Sequence, residues 1–525
     1  MLKPEPIAVP QEPAAETELK FLLTPQALAA LSAHPALRGP GQCEQLRSVY
    51  FDTPDHQLRD KGFSLRVRET PKGFVQTVKR RSGAGRVDRD EWEVATTGPT
   101  PNAAELRRTP VADALDGRLD QLKPLFATDV TRTLRYWTEA DAVVEISLDQ
   151  GEILAGDQNE PILELEIELK QGGPESLFAL AQDLARTAAV PLSYESKGDR
   201  GYRLAGHDGL AAQKAGQADV RPGLAAAEAF RMVARSALAQ TAANAEILVR
   251  RRNPEALHQL RVGLRRLRAA YAVFRPLLSG EEAERLKGET KWLAGELNEA
   301  RDLDVFLEQT FRPAERDEGD DPTLQALGKW LTQSQGKAYE RALAAVDSER
   351  FARLLLDTVA WVEVGSWSRA LASHELRETP IEAFARPRLE RHSRRLRKAG
   401  RDLRNLDTAS RHELRIEAKK LRYAAEFFAA AYGEAAPKRR RAFIGTLKRF
   451  QDALGELNDI AVARRSTAGL VRNSGSRLAF AAGVLVGQRS RDEAALLRTA
   501  EACYRAFRRA RPFWDSPTPG QAAAG

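Results

Sequence analysis

"ILELEIELKQG" occupies residues 162–172 and alternates without a break. Glu164, Glu166, Glu168 and Lys170 fall on every second position, with Leu165, Ile167 and Leu169 between them. In an extended strand residues i, i+2 and i+4 share a face, so this segment has one charged side and one apolar side. The pattern recurs upstream. "ETELK" (16–20) sets Glu16, Glu18 and Lys20 opposite Thr17, Leu19 and the following Phe21. "LRVR" (65–68) sets Arg66 and Arg68 opposite Leu65 and Val67. "RDEWEV" (89–94) sets Arg89, Glu91 and Glu93 opposite Trp92 and Val94. "GFVQTVKRR" (73–81) and "AVVEISLDQG" (142–151) keep nearly the same period, and Gly, Pro and Asp separate the runs. The first ~200 residues therefore predict an antiparallel sheet or barrel, with helical interruptions such as "ESLFALAQDLART" from residue 175.

One such strand is ordinarily the wet face of a sheet. The set says more, because several strands carry both signs of charge on one side. If the apolar sides pack outward against helices, the charged sides line an interior. That interior is costly unless its charges are paired or a ligand compensates them. Carboxylates hold hard divalent cations, and arginine and lysine hold phosphate oxygens. A barrel lined with both suits a metal–polyphosphate substrate.

After the small, Gly-rich stretch "AGHDGLAAQKAGQADVRPG" (205–223), apolar residues recur every three or four positions and helix is expected throughout. This half also repeats itself. "HQLRVGLRRLRAAYAVF" (258–274) aligns without a gap on "HELRIEAKKLRYAAEFF" (412–428), and "LNEARDLDV" (297–305) on "LGELNDIAV" (454–462), which brings Asp302 onto Asp459. The period is too long for a solenoid, so a duplicated helical bundle is predicted. Leu257, Leu260, Leu264, Leu267, Tyr271 and Phe274 form one core-facing stripe. Beside it His258, Arg261, Arg265 and Arg268 stack on one face, and His412, Arg415, Lys419 and Arg422 repeat the arrangement. Stacked like charges repel, and placing them twice points to a polyanion. Arg266 and Lys420 are secondary candidates, and "RPRLERHSRRLRKAGRDLRN" (386–405) adds further basic charge. Few aromatics flank these stripes, which disfavours base stacking of single-stranded nucleic acid; contacts to DNA phosphates stay open.

A chain of 525 residues is long enough for two or more cores, and its formal net charge of +8 favours polyanionic partners. The two cysteines, Cys43 and Cys503, offer neither a disulfide framework nor metal-ligand spacing, so a reducing, cytoplasmic setting is expected. "MLKPEPIAVPQEPAAE" (1–16) has no signal-peptide core, and "LAFAAGVLVG" (478–487) is too short to span a bilayer; no membrane association is expected.

"ETELK" matches the ExExK signature of CYTH domains, the triphosphate tunnel metalloenzymes. "YFDTPDHQL" (50–58), "LRVR", "QTVK" (76–79), "RDEWE" (89–93), "EISLDQG" (145–151), "ELEIELK" (164–170) and "SKGDRGYRL" (196–204) follow in the family's order. The repeated H-x-x-R-[VI]-x-x-[RK]-[RK]-L-R segments, "ARDLDV", "LNDIAV" and "RPFW" (511–514) resemble the CHAD domain. The resemblance implies an α+β N-terminal domain, a closed antiparallel barrel of eight strands with helices, followed by an all-α domain of two pseudo-symmetric four-helix bundles. It divides the chain into a flexible tail (1–13), a CYTH domain (14–205), a linker (206–222), a CHAD domain (223–515) and a second flexible tail (516–525).

Carried over by position, the resemblance makes Glu16, Glu18, Glu166 and Glu168 the ligands of Mg2+ or Mn2+, with Glu164 the alternative if the register shifts by two residues. Lys20, Arg66, Arg68, Lys79, Arg89, Arg132 and Lys197 become triphosphate ligands. Glu16, Glu18, Lys20, Glu91 and Glu93 form the expected catalytic set, with Glu145 also lining the tunnel. The implied reaction is hydrolysis of inorganic triphosphate or short polyphosphate. The helical domain would bind long-chain polyphosphate through the two His/Arg/Lys stripes, in the cytoplasm or at polyphosphate granules. Thiamine triphosphatase, adenylyl cyclase of the class sharing this fold, and a non-enzymatic granule scaffold are the competing readings.

Overall fold

The computed structural model describes residues 17–80, 91–206, 211–216, 218–278, 280–318, 321–433, 437–473, 476–490 and 493–515. The two tails, Glu16 and Arg89 lie outside the described residues, as do 207–210 and 217 of the expected linker. The chain divides into two compact units. The first comprises 1–216, 238–251 and 347–364; the second comprises 217–237, 252–346 and 365–525.

In the first unit the alternating segments form the expected strands: β1 (Thr17–Leu22), β2 (Gln42–Asp52), β3 (Phe63–Thr70), β4 (Gly73–Arg80), β5 (Glu91–Thr96), β6 (Lys123–Glu139), β7 (Ala142–Ala155) and β8 (Gln158–Gln171). They make one eight-stranded sheet in the order β1-β8-β7-β6-β2-β3-β4-β5. Every neighbouring pair is antiparallel. No pairing of β1 with β5, the two ends of that order, occurs among the described residues.

The apolar faces pack outward, as the alternation requires. Leu65, Val67 and Val78 join Phe51, Leu58, Leu106, Val111 and Leu115 in a core beneath short helices, with Trp92 packed against it. The helix Pro174–Thr187 lies on β8 and buries Leu177, Phe178, Ala181 and Leu184. The opposite face changes character along its length. At one end it is apolar: Tyr50, Phe126, Val130, Ile153 and Ile162 gather around Tyr202 of the helix Lys197–Leu204. Gly201 is required here, because a Cβ at this position would sit 2.0 Å from the Phe126 ring. Asp52, from "YFDTP", ties this helix down. Its carboxylate accepts the backbone N–H of Thr53, Leu58 and Arg59 and the Tyr202 hydroxyl at 2.7 Å. Two of the landmark motifs are thus joined through one buried carboxylate.

The second unit is helical. Each repeat contributes a basic-striped helix, Pro254–Val273 and Thr408–Phe427, and these two pack on one another. In the first repeat Glu281–Glu296 and Asn298–Phe306 are separate helices; in the second the 37-residue helix Pro437–Asn473 runs through the aligned region. Phe274 and Phe428, aligned in the repeats, meet with ring centroids 5.5 Å apart, and Phe384 stacks on Phe274 at 5.4 Å. A separate core joins the helices Pro322–Val346 and Ser476–Ser490 through Leu324, Leu327, Leu331, Ala482, Leu485 and Val486.

Candidate active site and anion-binding face

Cross-strand partners share a face, so the register sorts the charged side chains into rungs. Glu18 of β1 is opposite Glu168 of β8, which is opposite Glu145 of β7. The next rung is Lys20, Glu166 and Ser147. The third brings Glu164, Asp149 and, from β6, Arg132 into line. The first rung is a row of carboxylates. Lys170 answers it, with its ammonium 2.7 Å from Glu168 and 3.7 Å from Glu145, and the Tyr136 hydroxyl donates to Glu145 at 3.0 Å.

The deeper rungs are a paired network. Lys197 enters from its helix and lies 2.8 Å from Asp149, 2.7 Å from Glu164 and 2.9 Å from Glu166. Its contact with Glu164 Oε2 is an ion pair whose angle falls short of a hydrogen bond. Arg132 grips Asp149 through Nε and Nη2, both at 2.7 Å, and reaches Glu166 at 2.7 Å. Arg200 closes the far side on Glu164 at 2.5 Å. Burial works to raise the Glu166 carboxyl, but Lys197, Arg132 and Lys20 outweigh it and hold the group well below the usual carboxylate range. Burial likewise opposes the charge on Lys197, and the carboxylates Glu166, Glu164 and Asp149 more than restore it. Lys20, 7 % exposed, donates to the main-chain carbonyl of Glu195.

The β3–β4–β5 wall has a different balance. Lys79 lies 2.7 Å from Glu91, and Arg66 lies 3.8 Å from the same carboxylate. Glu93 accepts from the Thr77 hydroxyl at 3.2 Å. Arg68 donates only to Ser48 Oγ, at 3.1 Å, among the contacts of its side chain that reach hydrogen-bond length in the described residues. Burial and then repulsion from Arg66 bring Arg68 down to about 10, with Arg132 adding to the repulsion and Asp149 opposing it. Arg68 therefore feels the charges of Arg66 on its own strand and of Arg132 on β6. The buried Nε of Arg66 has no hydrogen-bond partner among the described residues.

Of the sequence-derived set, the fold gathers Glu18, Lys20, Arg132, Glu145, Glu166, Glu168 and Lys197 on β1, β6, β7, β8 and the capping helix. Arg66, Arg68, Lys79, Glu91 and Glu93 lie on the other wall. Glu166 sits among cations, whereas Glu18 and Glu168 share the carboxylate rung. No group of three or more His, Cys, Asp and Glu side chains is drawn together tightly enough to hold a metal ion among the described residues, which do not include Glu16. Sequence reading missed Asp149, Arg200, Glu160 and Glu195. Asp149 was in plain view: it continues the alternation of Glu145 and Ser147 in "EISLDQ".

In the second unit the two basic stripes converge. Arg265 donates through Nε to the Tyr423 hydroxyl at 2.6 Å, which brings one repeat helix onto the other. Arg261 donates to Asn298, His412 pairs with Asn458 at 2.9 Å, and Arg422 donates to Gln451 and Glu426, each at 2.7 Å. Lys419 forms no hydrogen bond or ion pair among the described residues. Burial, then Arg415, Arg265 and Arg422, push its ammonium down to about 7, against a weaker pull from Asp459. Burial also lowers Arg415 and Arg261, with Asp459 and Asp302 as their respective counter-charges. His258 is pushed down to about 4 by burial and by Arg301, so it is a neutral imidazole at pH 7. Arg268 is exposed, Arg266 donates to Ser236 at 3.3 Å, and Lys420 pairs with Glu417 at 3.5 Å.

The CYTH domain family model matches residues 14–202, and the CHAD domain model matches residues 232–468. The inorganic triphosphatase of Haemophilus influenzae is 31% identical over 194 residues, which is 36% of this chain and 54% of that protein. The chain thus spans about half the length of this relative. Among solved structures, the CHAD domain from the plant Ricinus communis is 29% identical, with a TM-score of 0.49, over 57% of this chain and 98% of that one. PptA from Streptomyces chartreusis is 21% identical, with a TM-score of 0.37, over 56% of this chain and 100% of that one.

Proposed function

We propose that this chain, a CYTH domain followed by a CHAD domain, hydrolyses inorganic triphosphate or short polyphosphate on the charged face of its sheet and binds long-chain polyphosphate on its helical repeats. The observation that carries the first part is the division of that face. A row of carboxylates, Glu18–Glu168–Glu145, shares the face that carries Arg132, and Arg68 feels the charges of both Arg66 and Arg132. Carboxylate oxygens are the donors that Mg2+ and Mn2+ take. Lys170, drawn onto Glu168 and Glu145, supports the fit, since the row attracts a cation from within the chain itself. Glu18 and Glu168, with Glu16 beside them in sequence, would hold the metal. Bound there, it would offset charge on the phosphate oxygens and favour a hydroxide-like water.

The chain's own groups do the rest. Arg66 and Arg68 hold the triphosphate and align its terminal phosphorus. Water attacks that phosphorus, the bridging P–O bond breaks, and phosphate and pyrophosphate leave. Glu91 keeps Lys79 and Arg66 in place between turnovers. Arg132 and Lys197 keep the Asp149, Glu164 and Glu166 carboxylates ionised behind the site.

The test is a panel of inorganic triphosphate, thiamine triphosphate and ATP with Mg2+ or Mn2+, reading phosphate, pyrophosphate and cyclic nucleotide. Inorganic triphosphate is expected to be the preferred substrate. Glu18→Gln is expected to cut its turnover by about a hundredfold or more. Wild-type turnover in that variant would refute the assignment.

Support for polyphosphate binding comes from the convergence of the two stripes around Lys419, where burial and the charges of Arg415, Arg265 and Arg422 outweigh the pull of Asp459. Duplex DNA at equal phosphate concentration and salt is expected not to displace long-chain polyphosphate; displacement would overturn the preference. Both cysteines are free, in keeping with a cytoplasmic protein. No helix among the described residues is long and apolar enough to cross a membrane.

A further inference from the structure

The helix Ala226–Arg250 belongs by sequence mostly to the CHAD match, yet its last turns fold, within the segment Leu238–Arg251, into the same compact unit as the sheet. Two charged residues of those turns reach the site described above. Arg250 Nη2 lies 3.2 Å from Glu195 Oε2 and 2.9 Å from Glu246 Oε1, and Arg250 Nη1 lies 3.8 Å from Glu160. Glu246 hydrogen-bonds the Glu195 side chain. Glu195 is the residue whose main-chain carbonyl receives the ammonium of Lys20.

A second route runs through ion pairs alone. Arg203 links Glu195, at 3.2 Å, to Glu160, at 2.9 Å. Arg200 links Glu160, at 2.8 Å, to Glu164, at 2.5 Å. Lys197 then links Glu164 to Asp149 and Glu166. Every member carries charge and is at least half withdrawn from solvent, so a group removed at one end leaves its partner uncompensated rather than hydrated.

We propose that Arg250 and Glu246 are positioning residues of the triphosphate site: they fix Glu195, and through it the Lys20 ammonium, so that a segment of the helical module sets how tightly the sheet holds its substrate. The inference rests on the triphosphatase reading and adds to it a physical link between the two modules. Without Arg250, Glu195 keeps Arg203, but no cation is bonded to both the Glu195 and the Glu246 carboxyl groups. Glu195 turns away, its carbonyl moves with it, and Lys20 loses the acceptor that aims it.

The charge state of this corner also has a readable signature. Burial and the neighbouring Glu195 carboxylate push Glu246 up to about 7, against Arg250 and Lys20. Below that pH Glu246 is protonated and donates a hydrogen bond to Glu195; above it two carboxylates face each other. The groups meeting there are Glu195, Arg203 and Glu160 from the sheet module, Lys20 from β1, and Arg250 from the same helix.

The full-length chain and its Arg250→Ala, Arg250→Lys and Glu246→Gln variants are compared with inorganic triphosphate and Mg2+, by steady-state kinetics from pH 6 to 8.5 and by calorimetric triphosphate binding. Arg250→Ala is expected to raise KM and the triphosphate Kd by about tenfold, with a smaller change in kcat. Arg250→Lys is expected to recover most of that loss. Glu246→Gln is expected to flatten the limb of the kcat/KM profile that bends near neutrality. If Arg250→Ala does not fold, the other two variants carry the test. Wild-type KM, Kd and pH profile in the variants would overturn the inference. A wild-type chain that binds triphosphate without hydrolysing it, more tightly than Arg250→Ala does, would sink the activity and leave the positioning role standing. A chain that binds no triphosphate would end both.

Discussion

Polyphosphate binding by the helical repeats should be coupled to proton uptake, and Lys419 sets the size of the effect. In the free protein its ammonium is pushed down to about 7 by burial and by Arg415, Arg265 and Arg422. A phosphate chain laid across these groups replaces repulsion with attraction and returns the lysine toward its ordinary value near 10. Binding then takes up close to one proton at pH 8. Linkage between a free pKa near 7 and a bound pKa near 10 weakens binding by about 50-fold from pH 7 to pH 9, and by only about twofold from pH 6 to pH 7. The assay is calorimetry at fixed ionic strength in two buffers of different ionisation heat, with long-chain polyphosphate as titrant. Lys419→Arg is the control. A guanidinium stays charged through this range, so the variant should bind with a nearly flat pH dependence and little proton uptake. Wild-type affinity that holds constant from pH 7 to 9 would refute the reasoning. So would an Arg variant that keeps the full dependence, since the titrating group would then lie elsewhere.

Lys197→Met should leave Asp149, Glu164 and Glu166 crowded around an apolar side chain, costing about 3–5 kcal/mol in urea unfolding. These carboxylates are ionised in the native state of the parent, so the variant should regain part of the loss as the pH falls toward 5 and they protonate; a loss that does not vary with pH would contradict this. Gly201→Ala should destabilise the sheet unit by about 1–3 kcal/mol, because Phe126 is held between Tyr50, stacked at 4.5 Å, and Tyr202, at 5.3 Å, and has no room to move. A melting temperature equal to that of the parent would show that the ring can yield.

Strand identity and face were legible because period-two alternation encodes both. Leu65, Val67 and Trp92 lie in the outer core and Arg66, Arg68 and Glu91 on the other face, as their positions dictate. The helical repeat was legible because matched residues keep matched roles: Phe274 meets Phe428, and the two basic helices meet through Arg265 and Tyr423. What alternation does not encode is which charges satisfy one another. Glu166 and Glu168 are equivalent by pattern, yet one lies between Arg132 and Lys197 and the other beside Glu18 and Glu145. Their difference comes from Lys197, which arrives on a helix distant in sequence. Arg250 was hidden for the same reason. Its partners, Glu160 and Glu195, lie far upstream, and nothing in a helical period announces an ion pair of that separation.

The direction in which each cation is shifted separates structural charge from binding charge. Arg132 and Lys197 are raised, because carboxylates surround them more than burial penalises them. An anion arriving there competes with Asp149, Glu164 and Glu166, so these two cations serve chiefly to hold the network. Arg68, Arg261, Arg415 and Lys419 are lowered, because burial and like-charged neighbours outweigh their counter-ions. A phosphate arriving at these groups relieves repulsion already present in the free protein, and that relief adds to affinity. The same argument ranks the proposed triphosphate ligands on the sheet, with Arg68 ahead of Arg132 and Lys197. It also explains why the helical repeats place two stripes of one sign together at a cost in stability. Asp302 and Asp459, one from each repeat, feel each other as well as the cations, and Asp302 is itself raised by burial. Asp302, Asp459 and Glu426, the last paired with Arg422, are fewer than the six Arg and Lys side chains of the converged stripes, so the folded repeats hold excess positive charge that a polyanion can discharge.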